Sequence, residues 1–166
     1  MRWKWPAVVI MGMLTFNAGA SSGATSPYGT ASAKTRPIPV LNTVFDVSYD
    51  DPKKLELLYD FVRNTRQVTR GKVVIVTHGP ELKAFAKENY KEFRGIVDKM
   101  ADLANKGVKF YMCRNAMKMA GYRPEDMHGF ITVVPSGFAE IAYLEYQGYQ
   151  YINPTPLSTK DIGPTR

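Results

Sequence analysis

The residues best suited to chemistry are a single cysteine and one histidine, each at the end of a predicted strand. Cys113 closes the apolar run 108–113 just before a predicted short helix, and His78 follows the apolar run 72–77. A helix N-terminus and a neighbouring cation such as Arg114 both lower the pKa of a thiol. We therefore predict that Cys113 is a reactive thiol. The alternative is an inert core cysteine, because cysteine is often buried.

Several neighbouring residues could support chemistry at this thiol. The imidazole of His78 could accept a proton or orient a ligand, or it could bond only to the backbone of its turn. Arg114 and Asn115 could bind an anionic sulfur species, although capping is the commoner role for an asparagine at a helix start. Ser136 opens the last predicted helix at the same edge. His128 lies in a loop toward the opposite edge, where we expect it to be solvated.

The composition argues against several other kinds of site. A chain with one Cys and two His has too few ligands of these types for a cysteine and histidine zinc site, and it cannot form an internal disulfide. The glycine-rich patterns of phosphate-binding and dinucleotide-binding loops are absent. The turn at 48–52 is acidic and would repel a phosphate. We predict no cofactor and no metal.

The elements that would position these residues alternate between strand and helix. The predicted strands are 40–47, 72–77, 108–113, 131–134 and 149–152. The predicted helices are 52–67, capped by Asp51 and ended by Gly71, then 81–88, 91–105, 115–120, and a last helix that starts at Ser136-Gly137 and stops at Gly148. This alternation predicts an α/β domain with a doubly wound, mostly parallel five-stranded sheet and helices on both faces. Ligands of such sheets bind outside the carboxyl ends of the strands, where Cys113 and His78 are predicted.

The chain divides into four predicted segments. Residues 1–20 combine a basic start, an apolar run at 5–16 and small residues before Ser21, which is typical of a signal peptide cleaved near Ala20. The apolar run is shorter than the ~20 residues of a membrane-spanning helix, so a retained anchor is the weaker alternative. A flexible linker follows at 21–38, then the domain at 39–154 and a tail at 155–166. We expect a periplasmic or secreted protein without a membrane span after cleavage.

The charge of +7 lies mainly outside the predicted domain. Within 39–154 the basic and acidic residues are nearly balanced and alternate along the helices. A nucleic-acid-binding domain concentrates its basic residues on one face or helix. We therefore expect no nucleic-acid partner.

Aromatic residues cluster near the end of the domain, at Tyr143, Tyr146, Tyr149 and Tyr151. Aromatic side chains with a polar tip are common in subunit contacts, but they also pack in cores. The sequence leaves both interpretations open.

Three stretches around and after Cys113 carry a family resemblance. LANKGVKFYMCRNAMKMAGYRPEDM at 103–127, VVPSGFAEI at 133–141 and QGYQYINP at 147–154 are similar to the DsrE/DsrF-like sulfur-relay family. The resemblance implies a flavodoxin-like domain in homo-oligomers, often trimers or hexamers. It also implies that Cys113, in a C-x-N pattern with Asn115, carries sulfane sulfur as a persulfide.

The chain departs from the family in two respects. Many relatives have V-F-H at the first strand, where this chain has Phe45-Asp46. The familiar sulfur relays are also cytoplasmic, whereas this chain has the pattern of an exported protein.

Three functions follow as hypotheses. The first is a periplasmic sulfur carrier or sulfurtransferase that moves sulfur from a sulfane sulfur donor to an acceptor thiol through Cys113. The second is a non-enzymatic ligand-binding or assembly module with the same fold. The third is a thiol redox sensor, which would need an intermolecular disulfide because the chain has no second cysteine.

Overall fold

A computed structural model of the chain describes residues 36–155, together with Thr30, Ala31 and Ala33. The predicted signal peptide at 1–20, most of the linker and the tail beyond Thr155 lie outside the described residues. Among the helices of the described part, none combines the length and apolar character needed to cross a membrane.

The core of the domain is a five-stranded sheet. Its strands are β1 (Leu41–Val47), β2 (Arg70–Thr77), β3 (Lys109–Cys113), β4 (Ile131–Val134) and β5 (Gln150–Ile152). They lie in the order β4-β3-β2-β1-β5, and every neighbouring pair is parallel. The predicted α/β fold is confirmed, and the sheet is wholly rather than mostly parallel.

Four α-helices connect these strands: α1 (Leu55–Thr69), α2 (Tyr90–Asn105), α3 (Arg114–Met119) and α4 (Gly137–Tyr146). The predicted start of the first helical segment is correct. The Asp51 side chain accepts a hydrogen bond of 2.9 Å from the amide of Lys53, and Pro52 takes the first position of a short 3-10 turn. This turn leads directly into α1, because proline is preorganised for a helix start and has no amide to leave unpaired.

The sheet buries both faces because its strands alternate side chains between two cores. Phe45, Ile75 and Phe110 belong to the larger core, which α1 and α2 cover. Val44, Val74 and Val76, one position away along β1 and β2, belong to a smaller core with Ile141 and Leu144 of α4. Two-residue periodicity in a parallel sheet covered on both faces explains the nearly continuous apolar runs of the sequence.

The helix predicted at 81–88 is wrong. The chain forms two 3-10 segments there, Pro80–Phe85 and Lys87–Asn89, separated by an extended Ala86 that bridges Met127. Glu81, Leu82, Ala84, Phe85 and Ala86 are all buried, and only Lys83, Lys87 and Glu88 of residues 81–88 are exposed. An α-helix at a surface would have buried only one stripe of side chains.

The predicted end of the first helix at Gly71 is also wrong. Helix α1 ends at Thr69, and Arg70 takes the left-handed conformation that caps it, with φ of 55°. Gly71 already belongs to β2, where a Cβ atom would overlap the backbone oxygen of Leu41. The glycine is therefore required by the close approach of β1 and not by the helix end.

Candidate functional site

Cys113 is the last residue of β3 and the N-cap residue of α3. Its backbone is extended, with φ of −64° and ψ of 118°, so the chain turns from strand to helix at this residue. The side chain is only 7% exposed and forms no disulfide. The structure thus places the predicted thiol at the carboxyl edge of the sheet, in a nearly enclosed position.

Two opposing effects determine the pKa of Cys113. Burial raises it, but the backbone amides of Ala116, Gly137 and Asn115 interact with the sulfur and lower it, and the net pKa is below that of an ordinary thiol. Ala116 and Asn115 belong to the first turn of α3, and Gly137 is the first residue of α4. The sulfur therefore faces amides from the start of two helices, which favours a thiolate.

Gly137 brings α4 close to the sheet beside this sulfur. A Cβ atom on Gly137 would lie 3.2 Å from Cβ of Cys113 and 3.4 Å from Cβ of His78. The Cβ atoms of Cys113 and His78 can be no farther apart than the sum of these distances, so the two side chains are neighbours. Ser136 caps α4 by accepting a hydrogen bond from Ala139, and this cap holds the helix start in place.

His78 is oriented by a carboxylate. Its Nε2–H donates to Oδ1 of Asp46 over 2.6 Å, and the hydroxyl of Tyr151 donates to Oδ2 of the same carboxylate over 2.6 Å. The side chains of Asp46 and His78 are each 12% exposed. A carboxylate cannot donate, so the pairing places a hydrogen on Nε2, and Nδ1 is then the ring nitrogen with the capacity to accept a hydrogen bond.

Two aromatic residues complete the surroundings of this pair. The ring of Phe138, the second residue of α4, lies 4.7 Å from the His78 ring between centroids. The hydrogen bond to Asp46 raises the pKa of Tyr151, because the carboxylate stabilises the protonated phenol. Tyr151 therefore stays a donor and helps to fix the position of Asp46.

A buried glutamate ties together the turns that carry this pair. Glu81 accepts hydrogen bonds from the amides of Tyr49 (2.8 Å) and Gly79 (3.1 Å) and from the hydroxyl of Thr77. Burial raises the pKa of Glu81, and these three donors partly offset the effect. The bonds link the chain after β1 to the chain after β2, which keeps His78 beside Asp46.

Two other predicted site residues, Arg114 and Asn115, directly follow Cys113, but their side chains do not take the roles that we expected. Arg114 and Asn115 are exposed, and the groups that lower the pKa of Cys113 are amides and not the Arg114 guanidinium. The predicted capping role of Asn115 is wrong, because Cys113 itself is the N-cap residue. Asn115 contributes its backbone amide instead.

The expectation that His128 is solvated is also wrong. Its Nε2 is buried without a hydrogen-bond partner in the described part of the chain, and its ring stacks on Phe130 at 6.0 Å. Burial, followed by the positive charge of Lys87, lowers the pKa of His128. Because its ring is packed among aromatic side chains, a neutral imidazole suits this position better than a charged one.

Sequence reasoning missed the roles of Asp46, Tyr151, Gly137 and Glu81. A signal for Asp46 was available, because strand alternation places Val44 and Asp46 on one face of β1. The same alternation places Val76 and then His78, and Tyr111 and then Cys113, on the face that α4 covers. As a polar residue in an otherwise apolar strand, close to the carboxyl edge of the sheet, Asp46 could have been identified as a site residue. No comparable local signal pointed to Tyr151.

The predicted tyrosine cluster divides between surface and core. Tyr143, Tyr146 and Tyr151 are exposed, and Tyr149 packs partly against the smaller core.

Within the described residues, no group of three or more His, Cys, Asp and Glu side chains could hold a metal ion.

Comparison with known proteins identifies a family and a shared fold. A family model described as DsrE/DsrF-like matches residues 43–154. A solved protein of unknown function from Methanobacterium thermoautotrophicum is 24% identical, with a TM-score of 0.60 over 69% of this chain and 99% of that chain. One of unknown function from Bacteroides thetaiotaomicron is 16% identical, with a TM-score of 0.51 over 68% and 93%. None of the curated proteins matches this chain.

Proposed function

Since this chain belongs to the DsrE/DsrF-like family, we propose that it is a sulfur carrier that holds a sulfane sulfur as a persulfide on Cys113. The family resemblance implies this role for a cysteine at the turn after the third strand, and Cys113 occupies that turn. The single observation that carries the proposal is the set of amides around the sulfur. Ala116, Gly137 and Asn115 lower its pKa despite burial.

These amides suit both states of a carrier. A thiolate is the form of cysteine that attacks sulfur, and a lowered pKa increases its fraction at neutral pH. After the attack the negative charge moves to the outer sulfur of a persulfide. When that sulfur is passed on, the charge returns to Sγ of Cys113, where the amides stabilise the leaving group.

With thiosulfate as the donor, the loading step balances without another reactant. The Cys113 thiolate attacks the outer sulfur of thiosulfate, a new S–S bond forms, and the old S–S bond breaks with its electron pair leaving on sulfite. The product is a Cys113 persulfide anion. In the unloading step an acceptor thiolate attacks the outer sulfur of the protonated persulfide, and the Cys113 thiolate leaves.

His78 is the residue that we assign to proton handling in these steps. Asp46 holds Nε2 as a donor, which leaves Nδ1 to take the proton of a thiol or to return one to the outer sulfur. His78 is a neighbour of Cys113, because the Cβ atoms of both lie against the position that a Cβ atom on Gly137 would take. Asp46 and Tyr151 act through His78 and are positioning residues.

Loading can be tested by intact-mass spectrometry of purified protein after exposure to thiosulfate, tetrathionate or polysulfide. We expect the mass of one added sulfur atom on the wild type, removable by dithiothreitol, and no addition to Cys113→Ser. Lack of a sulfur adduct with every donor would contradict the carrier function. A disulfide-linked dimer of oxidised protein on a non-reducing gel, without persulfide formation, would favour the thiol sensor.

We propose that the carrier works outside the cytoplasm after cleavage near Ala20, on the basis of the signal-peptide pattern at 1–20. Expression of the full chain in a Gram-negative host should give a mature N-terminus near Ser21 in the periplasmic fraction. Recovery of the full-length chain in the cytoplasm would contradict this localisation.

One observation favours a second candidate, an assembly module. Cys113 is nearly enclosed, while α4 exposes Phe138, Tyr143 and Tyr146 on the surface, Tyr146 to 85%. Exposed aromatic clusters of this kind mark contact surfaces. A homo-oligomer, a trimer or hexamer as the family implies, would cover them.

Sedimentation of Tyr146→Arg tests this candidate. We expect the variant to dissociate if α4 lies in the interface, whereas Glu88→Arg, an exposed control on another element, should keep the wild-type mass. Cys113→Ser should assemble normally in either case. If persulfide forms and Cys113→Ser abolishes sulfur transfer, the assembly is a scaffold for the carrier and not the whole function.

A further inference from the structure

A groove lies next to Cys113 between α3 and the 3-10 segment Pro80–Phe85. Its volume is about 430 Å³, which is within the range of small-molecule sites. Two of its lining residues connect it to Cys113. The amide of Ala116 interacts with the sulfur, and the Cβ atom of His78 lies, like that of Cys113, against the position that a Cβ atom on Gly137 would take.

The groove is lined mainly by apolar groups. Pro80, Leu82, Ala116, Ala120 and Met119 contribute to it. Met119 is 89% exposed, more than any other large apolar residue in the described part of the chain. An exposed methionine adapts its shape to different apolar partners, so its place at the groove favours an apolar ligand body.

One cation supplies the polar part of the groove. Lys83 lines it and is exposed, and no salt bridge involves Lys83 within residues 36–155. No acidic side chain lines the groove. Tyr122, whose hydroxyl accepts a hydrogen bond of 3.0 Å from Asn89, can still donate one. The groove is therefore complementary to one negative charge on a mainly apolar molecule.

We propose that this groove binds the carbon skeleton of a small organic thiol or persulfide that bears one anionic group. The inference rests on the proposed carrier function and names the substrate class of the same site. A site for a bare inorganic dianion would be expected to present several converging cations and donors. This groove presents one lysine beside an apolar wall, so an organic molecule with a single carboxylate or sulfonate fits it better.

Methanethiosulfonate reagents test the groove directly, because the transferred group can be varied. The Cys113 thiolate attacks the sulfenyl sulfur, a mixed disulfide forms, and methanesulfinate leaves with the bonding electrons. The probes are the methyl, benzyl, 2-sulfonatoethyl and 2-(trimethylammonium)ethyl reagents. Dividing one rate by another cancels any change in the thiolate fraction of Cys113.

We expect the benzyl-to-methyl rate ratio of the wild type to exceed that of N-acetylcysteine by roughly tenfold, because part of the ring is buried on binding. Ala120→Trp fills the groove and should return the ratio to the value of the free thiol. Lys118→Trp, exposed on α3 and outside the groove, should leave it unchanged. A wild-type ratio equal to that of the free thiol, or an unchanged ratio in Ala120→Trp, would overturn the proposal.

The charge preference is tested with a second ratio. Lys83→Glu should lower the sulfonatoethyl-to-trimethylammonium ratio by roughly tenfold, because one cation becomes an anion near the reagent. No change would overturn the assignment of an anionic group. A selectivity seen only when the reagent is attached to a long peptide would instead identify a protein segment as the occupant.

The groove and the carrier function can fail separately. If no persulfide forms but the benzyl preference remains, the carrier function is contradicted and the groove is still a ligand site. Persulfide formation without the benzyl preference would contradict the groove alone.

Discussion

At the scale of the residue, the thiol of Cys113 depends on backbone amides and not on a charged side chain. Arg114 follows Cys113 in the sequence, but it is exposed. Three backbone amides at the starts of α3 and α4 lower the pKa of Cys113 instead. Amides are fixed by the helices and cannot rotate away. The sulfur is therefore tuned by the same packing that builds the domain.

The contribution of one amide can be measured at Gly137. Gly137→Pro removes its N–H, and proline is accepted at the first helical position after the extended Ser136. Gly137→Ala is the matched control, because it introduces a Cβ atom at the same place and keeps the N–H. We expect the pH midpoint of Cys113 alkylation by iodoacetamide to be higher in Gly137→Pro, and its rate at neutral pH to be lower on the order of tenfold. Equal profiles would show that this amide does not tune the sulfur.

The role of Asp46 is tested in the unloading step. Asp46→Asn removes the charge that holds the His78 proton on Nε2, so we expect sulfur transfer from the persulfide to an acceptor thiol to slow by on the order of tenfold or more. The pH dependence of the rate should also change. Tyr151→Phe removes one hydrogen bond and keeps the carboxylate, so its effect should be smaller. An unchanged pH profile in Asp46→Asn would remove Asp46 from the proton pathway.

At the scale of the element, close backbone approach decides where glycine is needed. Gly71 lies where β2 meets the backbone of Leu41, whereas Gly95 in α2 has no heavy atom within 4 Å of the position of a Cβ. The two glycines look alike in the sequence, yet only one is constrained by a neighbour.

A pair of substitutions separates these cases. Gly71→Ala should destabilise the domain by about 1–3 kcal/mol or more, because the new atom meets backbone that cannot move aside. Gly95→Ala should stabilise it by roughly 0.5–1 kcal/mol through helix propensity. Urea unfolding followed by circular dichroism measures both changes. A neutral Gly71→Ala would show that β1 can shift away from β2.

At the scale of the whole molecule, a buried carboxylate links stability to pH. Burial raises the pKa of Glu81, so this carboxyl group keeps its proton in the folded protein at a pH where it has lost it in the unfolded chain. The stabilisation is complete below the pKa of an unfolded glutamate, about 4.3, and is lost as the pH rises through the folded value. Glu81 therefore favours the folded state most in mild acid.

Comparison with Glu81→Gln isolates this effect, because other titrating groups cancel. We expect the difference in unfolding free energy, wild type minus variant, to shrink between acidic and neutral pH. In acid, Glu81→Gln should still lower the free energy of unfolding by about 1–3 kcal/mol, because its side-chain amide nitrogen faces a buried donor. Glu88→Gln on the surface should show neither effect. A difference that grows with pH would mean that the carboxylate is stabilised in the fold.

Local patterns in the sequence were enough to predict the strands, the parallel sheet and the position of Cys113 at its carboxyl edge. These features depend on side-chain period, caps and turn residues, which act over a few positions. The same approach failed at 81–88 and at Gly71, where burial and the approach of another strand outweighed local preference. It also predicted the wrong cap at Asn115, because the N-cap of α3 is Cys113, two residues earlier than expected.

The arrangement around the thiol was decided only by the tertiary structure. Asp46 is 32 positions from His78 and 105 from Tyr151, and their hydrogen bonds require β1, β2 and β5 to be neighbours in register. The Gly137 amide reaches Cys113 because α4 packs on the same face of the sheet. Sequence alone thus determined a thiol at an edge suited to ligands. Strand order and packing determined its partners, because contacts between distant segments depend on how the faces fit together.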